Sequence, residues 1–365
     1  MSPVELPLEP ERRPRRRRAL RAVGVVLLIL LAAAAALNAR FAAPRYEGPP
    51  SEHFDGRAFR NRVPIGDRGL LDVLRWRLAR DVDAWDDYDP PATVPAVPDE
   101  RVHGEALRVT FVGHASVLIQ TAGLNVLTDP IWSERASPVS WAGPARHAPP
   151  GIRFEDLPPI DAVLVSHNHY DHLDVDTLER LAAEHGPAIW VPLGNAALLG
   201  EHDVGGGRDL DWWDRVELAD GVWLSCVPAR HFSGRALTDR GAALWAGFVL
   251  ETPGGVVYFA GDTGDGPHFE QTRARFGAPR LALLPIGAYL PPWFMSPVHV
   301  DPREAAEVHL RLGARTSLAI HFGCFELGDD GPTQPAEELA AARIALGIDP
   351  GSFWILAAGE ARDVP

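Results

Sequence analysis

The run His167-Asn168-His169-Tyr170-Asp171-His172 places four groups that bind metals through nitrogen or oxygen within six positions. Neutral imidazoles with a carboxylate suit Zn2+, Mn2+ or Fe better than Ca2+ or Mg2+, which favour all-oxygen shells. In an extended loop, residues two apart point the same way. His167 and His169 can therefore share one ion, while Asp171 and His172 turn toward a second. A single histidine beside an apolar run reads most simply as a packed core residue. Four such groups this close together read as a metal site.

The elements that must hold this cluster are legible around it. Asp161-Ala162-Val163-Leu164-Val165-Ser166 directly precedes it and reads as a buried strand. The cluster thus sits on a strand-end loop, where folds of mixed helix and strand gather their chemistry. Three more candidates repeat the arrangement. His231 follows the run Val222 to Val227, Asp262 follows Val256 to Ala260, and His321 follows Ser317 to Ile320. Each stands beside small or turn residues. Alone, Asp262 reads as a turn-forming aspartate and His321 as a core histidine. Together, four strand ends delivering these residues to one rim point to a two-metal centre.

With these motifs in place, the chain resembles the metallo-β-lactamase superfamily, whose metal motif is HxHxDH followed by single His, Asp and His ligands. Narrower stretches resemble its N-acyl-phosphatidylethanolamine-hydrolysing phospholipase D branch. They include Gly113-His114-Ala115-Ser116, Leu127-Thr128-Asp129-Pro130, the metal motif through Asp174, and Leu210-Asp211-Trp212-Trp213. They continue with Gly287-Ala288-Tyr289, Trp293-Phe294-Met295 and His299-Val300-Asp301-Pro302. The resemblance runs from about Phe111 to the C-terminal region. It implies an α/β fold, the αββα sandwich, and two Zn2+ ions per chain. One ion would be held by His167, His169, His231 and Asp262. The other would be held by Asp171, His172, His321 and the bridging Asp262. It further implies hydrolysis by a hydroxide held between the ions, with Asp171 and Asp262 as the catalytic carboxylates. His114, Ser116, Tyr170, Arg235, Tyr289 and His299 fall on the family's polar motif positions and are the candidate substrate contacts. Two departures stand out. The animal enzymes read Tyr-Glu-Pro-Arg-Trp where this chain has Tyr289-Leu290-Pro291-Pro292-Trp293, and Phe322 replaces a Trp after the last histidine.

The N-terminus has another character. Arg12, Arg13 and Arg15 to Arg18 form a basic block, and residues 22–39 carry no charge. As a helix that segment rises about 27 Å, close to the roughly 30 Å hydrocarbon core of a bilayer. It reads as an uncleaved anchor or, with small alanines available for cleavage, as a signal segment. The positive-inside rule puts the arginines in the cytoplasm and the remainder across the membrane. The expected layout is a basic tail over 1–21, a membrane segment over 22–39, a linker over 40–105 and a hydrolase domain over 106–365. Within the linker, Arg68 to Arg80 has helical apolar spacing at Leu70, Leu71, Leu74 and Leu78. This helix would pack on the domain or lie on a membrane surface.

Composition bounds the rest. The chain has 365 residues, 46% hydrophobic, and a net charge of −14. The chain has no lysine, and from Tyr46 onward 26 Arg stand against 46 acids, about −20. An acidic domain repels nucleic-acid backbone and anionic lipid alike, so nucleic acid is not an expected partner. Two cysteines, Cys226 and Cys324, make no disulfide framework. The expected activity is a membrane-anchored phosphodiesterase of phospholipase D type acting on N-acylated or related glycerophospholipids. The alternatives are a lactonase or other ester hydrolase, and a non-catalytic, membrane-tethered, metal-stabilised binding protein. Oligomeric state is not legible.

Overall fold

The computed structural model describes residues 13–66, 68–80 and 85–365. The first twelve residues of the expected basic tail lie outside the described residues. Two helices come first, α1 (Arg13–Phe41) and α2 (Leu70–Ala79). Next are β1 (Leu107–Gly113), β2 (Ser116–Thr121), β3 (Leu124–Thr128), β4 (Ala162–Leu164), α3 (Val175–Glu184), β5 (Ala188–Pro192), α4 (Asn195–Glu201) and β6 (Gly207–Leu210). They are followed by β7 (Arg215–Ala219), β8 (Val222–Val227), β9 (Gly247–Thr252), β10 (Gly255–Phe259), α5 (His268–Phe276) and β11 (Leu281–Pro285). Last come α6 (Pro292–Met295), α7 (Pro302–Leu312), β12 (Thr316–Ile320), α8 (Gln334–Leu346), β13 (Phe353–Trp354) and β14 (Ala361–Asp363).

The strands form two seven-stranded mixed sheets, ordered β14-β1-β2-β3-β4-β5-β6 and β13-β12-β11-β10-β9-β8-β7. Both sheets are covered on both faces, which is why the strands read as continuous apolar runs. Alternate residues of one strand feed different cores. In β10, Val257 and Phe259 point between the sheets, and Tyr258 points to the helical layer. In β2, Val117 and Ile119 face between the sheets while Leu118 faces the layer of α3 and α4. The result is the expected αββα sandwich.

Local chemistry sets the element ends. Asp301 caps α7, accepting from Glu304 N at 2.8 Å while Glu304 reaches back to Asp301 N at 3.1 Å, with Pro302 at the first helical position. Gly313 closes the same helix in the left-handed conformation.

The stretch expected as a linker differs from that reading. Phe54 and Phe59 are buried in the inter-sheet core, Phe54 edge-on and Phe59 tilted against Tyr46. Residues around 43–61 are thus part of the domain. Their high Pro and Arg content suggested a linker, and their few aromatics do the anchoring. The helix α1 includes an apolar span, Arg21–Phe41, of mean hydropathy 2.5, none of whose most apolar stretch is buried in the protein. Its last turn is tied to the domain. Asn38 donates to Thr238 Oγ1 at 2.7 Å and accepts from Leu237 N at 2.8 Å, and Ala43 N donates to Asp239 at 2.7 Å.

Candidate metal centre

Each candidate ligand leaves the same end of its strand. His167 to His172 follow β4, His231 follows β8, Asp262 follows β10 and His321 follows β12. After His167 the chain runs extended to His169, then turns, with His172 N and Leu173 N both donating to His169 O at 3.1 and 2.9 Å. That turn carries Asp171 toward His114 and His321, while the His172 ring, expected to turn away, stays 4.2 Å from the His167 ring.

Two groups result, with a carboxylate between them. His167 Nε2 lies 2.8 Å from His169 Nδ1, and His231 Nε2 lies 3.3 Å from the same atom. Across the centre, His172 Nε2 and His321 Nε2 lie 3.0 and 3.3 Å from Asp171 Oδ2. Asp262 Oδ2 stands 3.2 Å from His172, 3.1 Å from His321 and 3.9 Å from His231. It therefore reaches both groups. His299 completes the wall, its Nδ1 3.9 Å from Asp262.

The far sides of the rings fix which nitrogen faces inward. His231 Nδ1 donates to Val298 O at 3.0 Å, and His172 Nδ1 donates to Asp129 Oδ2 at 2.6 Å. Each Nε2 lone pair is thereby left free for a cation, an orientation typical of ligating histidines. His172 Nε2, His321 Nε2 and Asp262 Oδ1 are buried and make no aligned hydrogen bond among the described residues. Orphaned buried polar atoms cost about 1–3 kcal/mol each. Several converging on one point are hard to sustain unless a cation shares them. The donor set of five imidazoles and two carboxylates fits borderline transition metals.

Electrostatics agree. Burial lowers His169 to about 4 and His167 and His231 well below the usual histidine value, so these rings are neutral. Burial also lowers His321, but the charges of Asp262 and Asp171 outweigh it and hold that ring at about 9. His172 is likewise raised well above normal by Asp262, Asp171 and Asp129, against burial. The carboxylates thus call for positive charge at this point, and a proton competes there with a metal.

Backbone strain gathers here too. His321, His114 and Asp129 hold φ of 63°, 55° and 31°. Left-handed backbone at such residues costs about 1–3 kcal/mol each and persists where surrounding structure enforces it. His321 N is fastened to His114 O at 2.8 Å.

The other sequence candidates separate. His114 is buried with Nε2 2.9 Å from Asp171 Oδ2, so it steadies a carboxylate of the centre. Ser116 is fully buried and donates to Asp129 O at 2.6 Å, away from any open surface. It is a packing contact and not a substrate contact, because its hydroxyl is already occupied. Tyr289 is buried, its hydroxyl makes no aligned hydrogen bond among the described residues, and burial and the nearby Glu338 carboxylate push its phenol up. Tyr170 and Arg235 do reach a cavity. The Arg235 guanidinium lies 3.9 Å over the Tyr170 ring, and both line a cavity of about 820 Å³ with Arg40, Arg135, Val139 and Leu198. No metal-group histidine lines that cavity; it adjoins the centre through Tyr170, within the ligand motif, and Leu173, directly after it, and through Arg235, which donates to Asn168 O and Leu173 O at 3.0 Å.

Two residues escaped the sequence reading. Asp129 is completely buried and binds His172, Ser166 N and Ser166 Oγ, the last two at 2.6 Å. It lies in the quoted Leu127 to Pro130 stretch, and an aspartate at the end of an apolar strand was its signal. Asn61 donates to His231 O at 2.7 Å and accepts from His231 N at 3.1 Å. Nothing in its surroundings in the sequence marks it.

Comparison with known proteins places this geometry. The family described as the β-lactamase superfamily domain matches residues 124–322. An uncharacterised protein of Mycobacterium tuberculosis is 38% identical over 84% of each chain. The N-acyl-phosphatidylethanolamine-hydrolysing phospholipase D 1 of Caenorhabditis elegans is 36% identical over 73% of this chain and 81% of its own. Among solved structures, an isothiocyanate hydrolase from Delia radicum gut bacteria superposes with a TM-score of 0.56 over 70% of this chain and 98% of its own, at 23% identity. That last likeness is one of fold.

Proposed function

This chain belongs to the β-lactamase superfamily and is a metal-dependent hydrolase, and on that premise we propose a membrane-anchored, two-zinc phosphodiesterase of phospholipase D type. Its substrates would be N-acylated or related glycerophospholipids. The observation that carries the reading is the position of Asp262 between two histidine groups, within 3.9 Å of rings from both. The worm relative, named for this activity, supports the substrate class.

In this reading His167, His169 and His231 would hold one ion and Asp171, His172 and His321 the other, with Asp262 within reach of both groups. Bound there, the ions supply Lewis acidity and lower the pKa of water to near neutrality. The chain's residues do the rest. Asp171 accepts a proton at Oδ2, steadied by His114, whose ring burial lowers to about 3 and so keeps neutral. Asp129 and Val298 O aim the His172 and His231 rings. Arg235 and Tyr170 form the wall that would meet a polar part of the substrate. α1 would anchor the chain as a single span, with the catalytic domain outside the cytoplasm.

Metal content and turnover test this together. Purified protein should carry about two zinc ions per chain, and Asp171→Asn should abolish phosphodiester hydrolysis while the fold survives. Turnover of lactones far above that of any phosphodiester would favour an ester hydrolase instead.

A further inference from the structure

The helix α2 has two unlike faces. Its inner face is docked: the Trp76 ring stacks on Phe294 of α6 at 5.0 Å and 19°, and Trp76 Nε1 donates to Asp329 at 2.9 Å. Arg80 secures the end, donating to Asp329 at 3.0 Å and to Gly328 O at 2.6 Å. The outer face carries Leu71, Leu74 and Leu78, exposed by 81, 47 and 88%. At 3.6 residues per turn these three share one stripe opposite Trp76. Arg75 and Arg77 flank the stripe, one on each side, and among the described residues neither forms an ion pair. Trp293 is part-exposed beneath Arg75, whose guanidinium lies 4.8 Å from its ring. Arginine-flanked leucines beside a tryptophan are the composition of a helix lying in a membrane interface.

We propose that α2 rests on the lipid surface through Leu71, Leu74 and Leu78, with Arg75 and Arg77 toward the lipid phosphates. The inference rests on the anchored reading of α1. Two observations favour a bilayer over other occupants. First, charge: Arg75 and Arg77 border the leucine stripe on the outer face, whereas Arg80 on the inner face is already paired with Glu326 and Asp329. These two guanidinium groups beside an apolar stripe are complementary to lipid phosphate. Second, continuity: the end of α1 is tied to Leu237 and Thr238 in the loop after β8, and α2 is tied to α6 in the loop after β11. Both loops leave the rim that carries the metal groups, so a membrane at α1 lies near α2. The contact also reaches the centre. Met295 O, at the end of α6, accepts from Val298 N at 2.9 Å and His299 N at 3.0 Å, and Val298 O holds the His231 ring.

The test uses the full chain carrying Leu78→Cys. Cys226 and Cys324 are buried, so an environment-sensitive thiol dye selects the new site. Reconstituted into vesicles of phosphatidylcholine with phosphatidylglycerol, the dye should shift its emission to the blue and be quenched by lipid-borne nitroxide. The same dye at Ile344→Cys, exposed on α8, should remain aqueous. A chain that floats with vesicles while the dye at 78 stays aqueous overturns the proposal and spares the anchor. A chain that does not float removes both. A blue shift in detergent that grows with protein concentration assigns the stripe to a second copy and also overturns it. The triple variant L71S/L74S/L78S should turn over vesicle-embedded phospholipid about tenfold more slowly and a soluble short-chain diester unchanged. Equal losses on both would contradict a lipid contact.

Discussion

Asp171 is where residue chemistry is most concentrated, since it lies within 3.3 Å of His114, His172 and His321. Replacement by Asn keeps the shape and removes the charge and the proton acceptor. Turnover should fall at least about a hundredfold, the usual scale of a lost acid–base group, with an unchanged circular dichroism spectrum. Asp129→Asn acts one step back, on the His172 ring. Metal affinity should fall about 10- to 100-fold in a chelator competition, and an unchanged affinity would mean that Asp129 only packs. The seven candidate ligand positions were legible because metals demand particular atoms, and the spacing after four apolar runs was unusual. The orienting residues were not legible. Asn61 is 170 positions from His231, and only the fold makes them neighbours. His114 and Ser116 were visible as motif positions, but whether a polar side chain faces a cavity or the interior depends on packing that the sequence does not print.

The elements reaching the rim were read well where periodicity was strong. The runs before His231 and His321 are β8 and β12, and α7 spans the expected Pro302 to Leu312. Asp301 announced the start of α7 because capping chemistry is local. The irregular stretch near 43–61 was misread, because a few buried aromatics such as Phe54 leave no period to detect. Turns carry a further constraint. Gly261, between β10 and Asp262, has φ 61°, and an added Cβ would stand 2.6 Å from Ser166 Cβ and 3.0 Å from Ala246 O. Gly261→Ala should therefore destabilise the protein by about 1–3 kcal/mol and displace Asp262. Urea midpoint and bound metal should fall together. A loss of stability with full metal content would separate the turn from the centre.

At the scale of the molecule, a buried neutral histidine far along the chain from the ligand motif couples the fold to pH. His268 begins α5, contacts Thr263 Oγ1 at 3.0 Å, and is lowered to about 3 by burial, with Arg311 and Arg230 lowering it further and Asp265 opposing them. Its folded value lies below the unfolded one of about 6.5. Between these values the unfolded chain binds the extra proton, so stability falls as the pH drops through that window, by about 1.4 kcal/mol per unit. His268→Gln should flatten this acid limb in urea titrations between pH 7 and 4.5. An unchanged slope would assign acid sensitivity to other groups. The layered architecture was visible in the family resemblance, and the acidic balance and the apolar N-terminal helix in composition. The clamp of Asn38 and Asp239 that ties that helix to the rim was not. The most direct test of the central claim is headgroup release from a phospholipid panel by the detergent-solubilised full chain, after chelation and after zinc add-back. The expected result is phosphatidic acid that disappears with chelation, returns with zinc and is greatest from N-acylated phosphatidylethanolamine. Protein that rebinds zinc yet releases no phosphatidic acid from any phospholipid would contradict it.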